Sequence, residues 1–146
     1  MDVHQFQEAN GNTEAVVNLT VPKTLFNWLD NGENYEFEGV VDVRVFINGN
    51  IAAQDVFHIR ESVVDRPGPT ERQVRMVEQS RFVLTKGSAV FSVAITDLAS
   101  NEVHKVTKNV IIRTIDDSYL TTSDLLLCTF LKSERLMDEN SINRNG

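Results

Sequence analysis

The chain has 146 residues, the size of a single domain. Its hydrophobic share of 41% and charged share of 24% are ordinary for a globular protein and exclude a low-complexity chain. A formal net charge of −7 argues against nonspecific nucleic-acid binding, which draws its affinity from Lys and Arg on phosphates. No run approaches the roughly 18 consecutive apolar residues of a membrane-spanning helix.

Residues 1–12, MDVHQFQEANGN, read as a polar and acidic segment unlike a signal peptide, and as a flexible arm broken at Asn10-Gly11-Asn12. From Ala15 the period is two. Ala15, Val17, Leu19 and Val21 share one face of a half-buried strand that Pro22 stops. The next stretch, KTLFNWLDNGEN, fits one helical turn or a short irregular strand, and Asn31-Gly32 closes it with a turn.

Tyr35 to Ile47 places Tyr35, Phe37, Gly39, Val41, Val43, Val45 and Ile47 on one face, which a helix would scatter. Gly39 has no side chain to pack, so a bulge or bend is expected there. Asn48-Gly49 signals a two-residue hairpin. The return strand carries Ile51, Ala53, Phe57 and Ile59 on one face, interrupted by Asp55. DRPGPTER then supplies a proline-punctuated connection between sheets.

Val74 and Met76, then Phe82 and Leu84, suggest two short strands or one bulged strand, and Lys86-Gly87-Ser88 turns the chain. Ala89, Phe91, Val93 and Ile95 mark a further strand, DLASNE a polar loop, and Val103 to Arg113 another strand with Val106, Val110 and Ile112 on one face. Asp116-Asp117-Ser118 turns again, an apolar run from Leu125 to Leu131 follows, and residues 132–146 read as a polar tail or linker. Seven to eight closely spaced strands with little helix predict an all-β, immunoglobulin-like antiparallel β-sandwich over residues 13–131.

Residues with chemical potential are scattered. Cys128 is the lone cysteine, so no intrachain disulfide forms, and its place after Leu125-Leu126-Leu127 predicts a buried small hydrophobe. His4, His58 and His104 lack metal-ligand spacing. Asp30 to Glu33, Asp97 to Glu102 and Asp116-Asp117 all fall in loops, where turn chemistry explains them as well as a calcium site does. Serines occur without a nucleophile elbow, and no glycine loop cradles phosphate. Asn18-Leu19-Thr20 spells a glycosylation triplet but lies in a predicted strand. No catalytic, cofactor-binding or metal-binding residue is nominated. The expectation is a domain that is not an enzyme and needs no cofactor. Its partner is expected to be a protein reached through a sheet edge. Trp28 or Tyr119 as the stacking platform of a carbohydrate-binding module is the alternative, and loop acids in a hydrolase a third reading.

Four stretches carry a resemblance: VVNLTVP; LFNWLDNGENYEFEGVVDVRVFINGNIAAQDVF; RFVLTKGSAVFSVAITDLASNE; and YLTTSDLLL. Together, over residues 13–128, they resemble the β-rich region upstream of the C-terminal domain in bacterial GWxTD-domain proteins. Leu84, Gly87 and Asp97 match a Leu-x-x-Gly step followed by a strand ending in Asp, and Ser123, Asp124 and Leu125 match a later step into the last strand. Ala89 stands where that pattern has tyrosine, and the Gly-Trp-x-Thr-Asp motif itself is not in the chain. The resemblance implies an upstream module of a larger exported protein, periplasmic or in the cell envelope of Bacteroidetes-type bacteria, with no catalytic residues to carry over.

Overall fold

The computed structural model describes residues 1–7 and 12–113. Eight strands in two antiparallel sheets face one another as an all-β sandwich. The first sheet has the order β1–β2–β6, from Asp2–Gln7, Thr13–Pro22 and Arg75–Leu84. The second is built on β4, Tyr35–Ile47. Along one side β4 pairs with β5, Asn50–Val63; along the other it pairs first with the two-residue β3, Leu29–Asp30, and then with β7, Gly87–Asp97. Beyond β7 lies β8, Val103–Ile112.

Period two does what it predicts in the strands that face each other. Ala15, Val17, Leu19 and Val21 of β2 pack in one cluster with Val41, Val43 and Val45 of β4 and Ala89, Phe91 and Val93 of β7. Burying each large aliphatic or aromatic side chain stabilises the fold by about 1.5–3 kcal/mol, so this cluster dominates the energetics. Asn48 (φ 51°) and Gly49 (φ 80°) form the β4–β5 turn in left-handed backbone, as an Asn-Gly hairpin requires.

Among the described residues the chain crosses between sheets three times. A 3₁₀ turn at Lys23–Leu25 leads from β2 to β3, so the stretch after Pro22 holds both a helical turn and a short strand. Residues 64–74 lead from β5 to β6 and contain one helical turn, α1, Pro69–Arg72, whose Glu71 carboxylate accepts the Gly68 amide. Residues 85–86 lead from β6 to β7.

Four expectations are corrected. Residues 2–7 are not a loose arm but strand β1, paired with Thr13 to Asn18. The pattern hid this because a glutamine, Gln5, occupies the inward position opposite Ala15 and is 6% exposed. Met76 to Leu84 is neither two strands nor a bulged one: β6 pairs with β2 without a register shift, and its polar interruption is the inward Ser80. The bulge in the long hairpin lies between Val45 and Phe46, leaving Ala52 unpaired. That shift sets Ile51 opposite Phe46, out of line with Ala53 and exposed.

Gly39 is therefore no bulge. It pairs regularly with Ile59 and Asp97. A Cβ there would stand 2.5 Å from Cε1 of Phe26 and 3.0 Å from the Thr96 carbonyl. The Phe26 ring lies where a side chain would, stacked on Phe37 with centroids 4.6 Å apart. Trp28 meets Phe37 edge-on at 4.7 Å. Glycine is thus needed for close approach, and an aromatic plug closes this end of the sandwich. Gly39→Ala is expected to destabilise the fold by about 2 kcal/mol, the cost of forcing a buried ring aside. Urea unfolding of the two proteins checks this.

Candidate functional site

Among the described residues β1 and β6 border the first sheet, and β5 and β8 border the second. On one side β5 and β6 approach, and Ser80 Oγ donates to Asp55 Oδ2 at 2.7 Å. This gives the inward Asp55, the polar interruption of the β5 pattern, a partner across the layers. β5 is further broken by its bulge and carries charges of both signs, devices that blunt an edge. On the other side β1, only six residues long, lies against the C-terminal end of β8.

A buried carboxamide joins β1 to the end of β8. Gln5 Nε2 donates to the Ile111 carbonyl at 3.0 Å, and Gln5 Oε1 accepts the Arg113 amide at 2.9 Å. A residue of a neighbouring parallel strand would contact the carbonyl before and the amide after residue 112 in the same way. Thr13 Oγ1 adds a bond to the Arg113 carbonyl at 2.6 Å. The Gln5 side chain therefore stands in for one rung of a ladder at the end of β8.

This geometry fixes which way β8 faces. The Ile111 carbonyl and Arg113 amide point away from β7, and backbone direction alternates along a strand. The main-chain groups of Val103, Lys105, Thr107 and Asn109 consequently point the same way, toward the side of β8 that has no partner strand among the described residues. Around them Val103, Val106 and Ile111 are 46%, 45% and 73% exposed. Between Val103 and Ile112 there is no acidic residue, while Lys105 and Lys108 are both present.

The far end of β8 is positioned by Asp97, the last residue of β7 and fully buried. Its Oδ2 accepts Ser100 Oγ at 2.7 Å, Asn27 Nδ2 at 2.7 Å and the Asn27 amide at 3.3 Å, and its Oδ1 accepts the Ala99 amide. Burial is the largest influence on this carboxyl and pushes its pKa up. The bonds from Ser100, Asn27 and Ala99 together outweigh it and hold the pKa below the ordinary value of 3.8. One carboxylate so ties the β7–β8 turn to the segment that carries Phe26.

The candidate side chains that fall among the described residues are not brought together. Trp28 is half-buried against the core, and its indole N–H is enclosed with no hydrogen-bond partner among the described residues. With Lys23, Glu61, Val64 and Pro67 it lines a pocket of about 260 Å³, where Lys23 Nζ bonds Glu61 Oε1 at 2.6 Å. Tyr119, Cys128, Asp116-Asp117 and Ser123-Asp124-Leu125 lie outside the described residues. His58 contacts Glu38 at 2.8 Å and His104 contacts Glu102 at 3.4 Å, on separate strands from His4. Among the described residues no three His, Cys, Asp or Glu side chains converge as a metal site would require. The Asp30–Glu33 loop uses its oxygens for its own turn: Asp30 Oδ1 accepts the Gly32 amide, and Asn31 Oδ1 accepts those of Glu33 and Asn34. The Gly32 amide, with help from Tyr35, holds the exposed Asp30 carboxyl below its ordinary pKa. Asn18 Nδ2 is buried, so the glycosylation triplet is closed in the folded chain. No helix among the described residues is long and apolar enough to cross a membrane.

No family model, curated protein or solved structure matches this chain.

Two outcomes test this arrangement. Asp97→Asn turns an amide donor toward the donors around it and is expected to cost about 2 kcal/mol. Because the folded pKa of Asp97 is lowered, its contribution is complete above the ordinary value of 3.8 and is lost as pH falls through the lower folded value. Thermal unfolding between neutral and strongly acidic pH should show this loss in the native chain and a flatter acid limb in Asp97→Asn. Gln5→Ala leaves the Ile111 carbonyl and Arg113 amide without the carboxamide and is expected to cost about 1–3 kcal/mol. Amide exchange at Arg113 should accelerate in that variant.

Proposed function

We propose that this chain is a non-catalytic accessory domain that holds a protein partner by strand addition along β8. The observation that carries this reading is the outward backbone of Val103, Lys105, Thr107 and Asn109, flanked by exposed β-branched side chains. Main-chain hydrogen bonds supply affinity in such complexes, and alternate side chains supply selectivity. The buried acid also supports it, since Asp97 is engaged in holding the β7–β8 turn. On this reading the immunoglobulin-like sandwich is an upstream module of a GWxTD-type exported protein, working in the periplasm or cell envelope.

Proline at position 107 removes one outward N–H and leaves the rungs to β7 in place. Thr107→Pro is therefore expected to unfold at nearly the native temperature, yet to lose an envelope protein that the native chain retains from extract at physiological salt. Equal retention by both overturns the reading. For the family and compartment, the expected reading frame has an export signal ahead and a Gly-Trp-x-Thr-Asp domain behind; one with neither overturns that part.

A further inference from the structure

We infer that the strand taken up by β8 is acidic, with the antiparallel pattern acid-x-apolar-acid opposite Lys108, Thr107, Val106 and Lys105. This rests on the strand-addition reading and goes further by stating the chemistry of the partner.

The argument starts from charge. The chain as a whole carries −7, but β8 holds Lys105 and Lys108 and no acid. Lys105 pairs with Ala94, on the outer face of its sheet, and Lys108 with Phe91, on the inner face. Two cations three residues apart on opposite faces are met by two acids three residues apart on an added strand, because directly opposed residues share a face. Val106 lies on the inner face with Val93 and is 45% exposed, so the residue opposite it gains by being apolar. The sheet is antiparallel throughout, and an antiparallel addition reads these demands in the order acid, x, apolar, acid.

The same lysines argue against a second copy of this chain. Self-pairing of β8 would gather four lysines in one seam, and like charges across a strand pair are destabilising. Edge lysines are a general guard against such pairing. Here they reject β8 of a second copy and accept an acidic strand, so one feature serves both exclusion and choice of partner. Asp2 reaches Lys108 at 3.7 Å, but both side chains are well exposed, and an exposed pair at that distance is a weak competitor.

The test uses the full chain, labelled for NMR, and the peptide Val-Thr-Glu-Thr-Val-Glu-Thr-Val beside its counterpart with lysine for glutamate. The acidic peptide is expected to shift the β8 amides and to bind about tenfold tighter than the lysine peptide at low salt, with the gap narrowing as salt rises. The double variant Lys105→Glu/Lys108→Glu, altered only at exposed side chains, should reverse the preference. Equal binding of both peptides at β8 overturns the acidic partner and leaves strand addition standing. No shift of β8 by either peptide overturns both. Slow exchange of the Lys105 and Thr107 amides in the free chain overturns both as well. If that protection is independent of concentration, the chain itself covers the edge; if it grows with concentration, a second copy does.

Discussion

Two layers of unequal width share one core, and the rest of the architecture follows from that mismatch. Among the described residues three strands of the first sheet face four long strands of the second. The cluster is continuous where β2 faces β4 and β7, because all three contribute unbroken rows of aliphatic and aromatic side chains. Toward the outside of the wider layer the cover from the described residues runs out. Along the inner face of β8, Ile112 is buried and Val110 half-buried, but Val106 is 45% exposed. The same strand passes from core to surface over three two-residue repeats, and its apolar residues change from packing material to exposed area.

Where the layers end, polar side chains close the gaps. Gln5 and Thr13 join β1 and β2 to the end of β8, Ser80 and Asp55 join β6 to β5, and Asp97 joins the β7–β8 turn to the chain entering β3. A sandwich made only of hydrophobic contact would be tolerant of sliding. Hydrogen bonds at the borders fix one register, since a buried donor or acceptor left unpaired costs about 1–3 kcal/mol. The aromatic plug adds a steric lock: Phe26 fits only because Gly39 presents bare backbone.

The candidate edge was partly readable in advance. The strand at Val103 to Arg113 and its inward Val106, Val110 and Ile112 follow from period two, and its lack of acids is visible on inspection. Its position at the border of a sheet is not, because alternation says which residues share a face and nothing about which strand lies beside which. Gln5 shows the converse failure. In a one-dimensional pattern it is a polar break in a weak segment; in three dimensions it is buried and substitutes for a strand. Asp97 stood among loop acids by composition, while its burial depends on Asn27, distant in the chain but adjacent in space.

The amino-acid order by itself determined the strand periodicity, the Asn48-Gly49 turn, the proline-marked crossing between sheets and hence a layered all-β fold. These are local consequences of side-chain alternation and backbone preference, legible over a few residues at a time. Tertiary structure alone decided that residues 2–7 are a strand, that Gly39 makes room for a ring, that the bulge falls beside Phe46, and that β8 borders its sheet among the described residues. Each depends on a partner distant in sequence, and no local rule contains the identity of that partner.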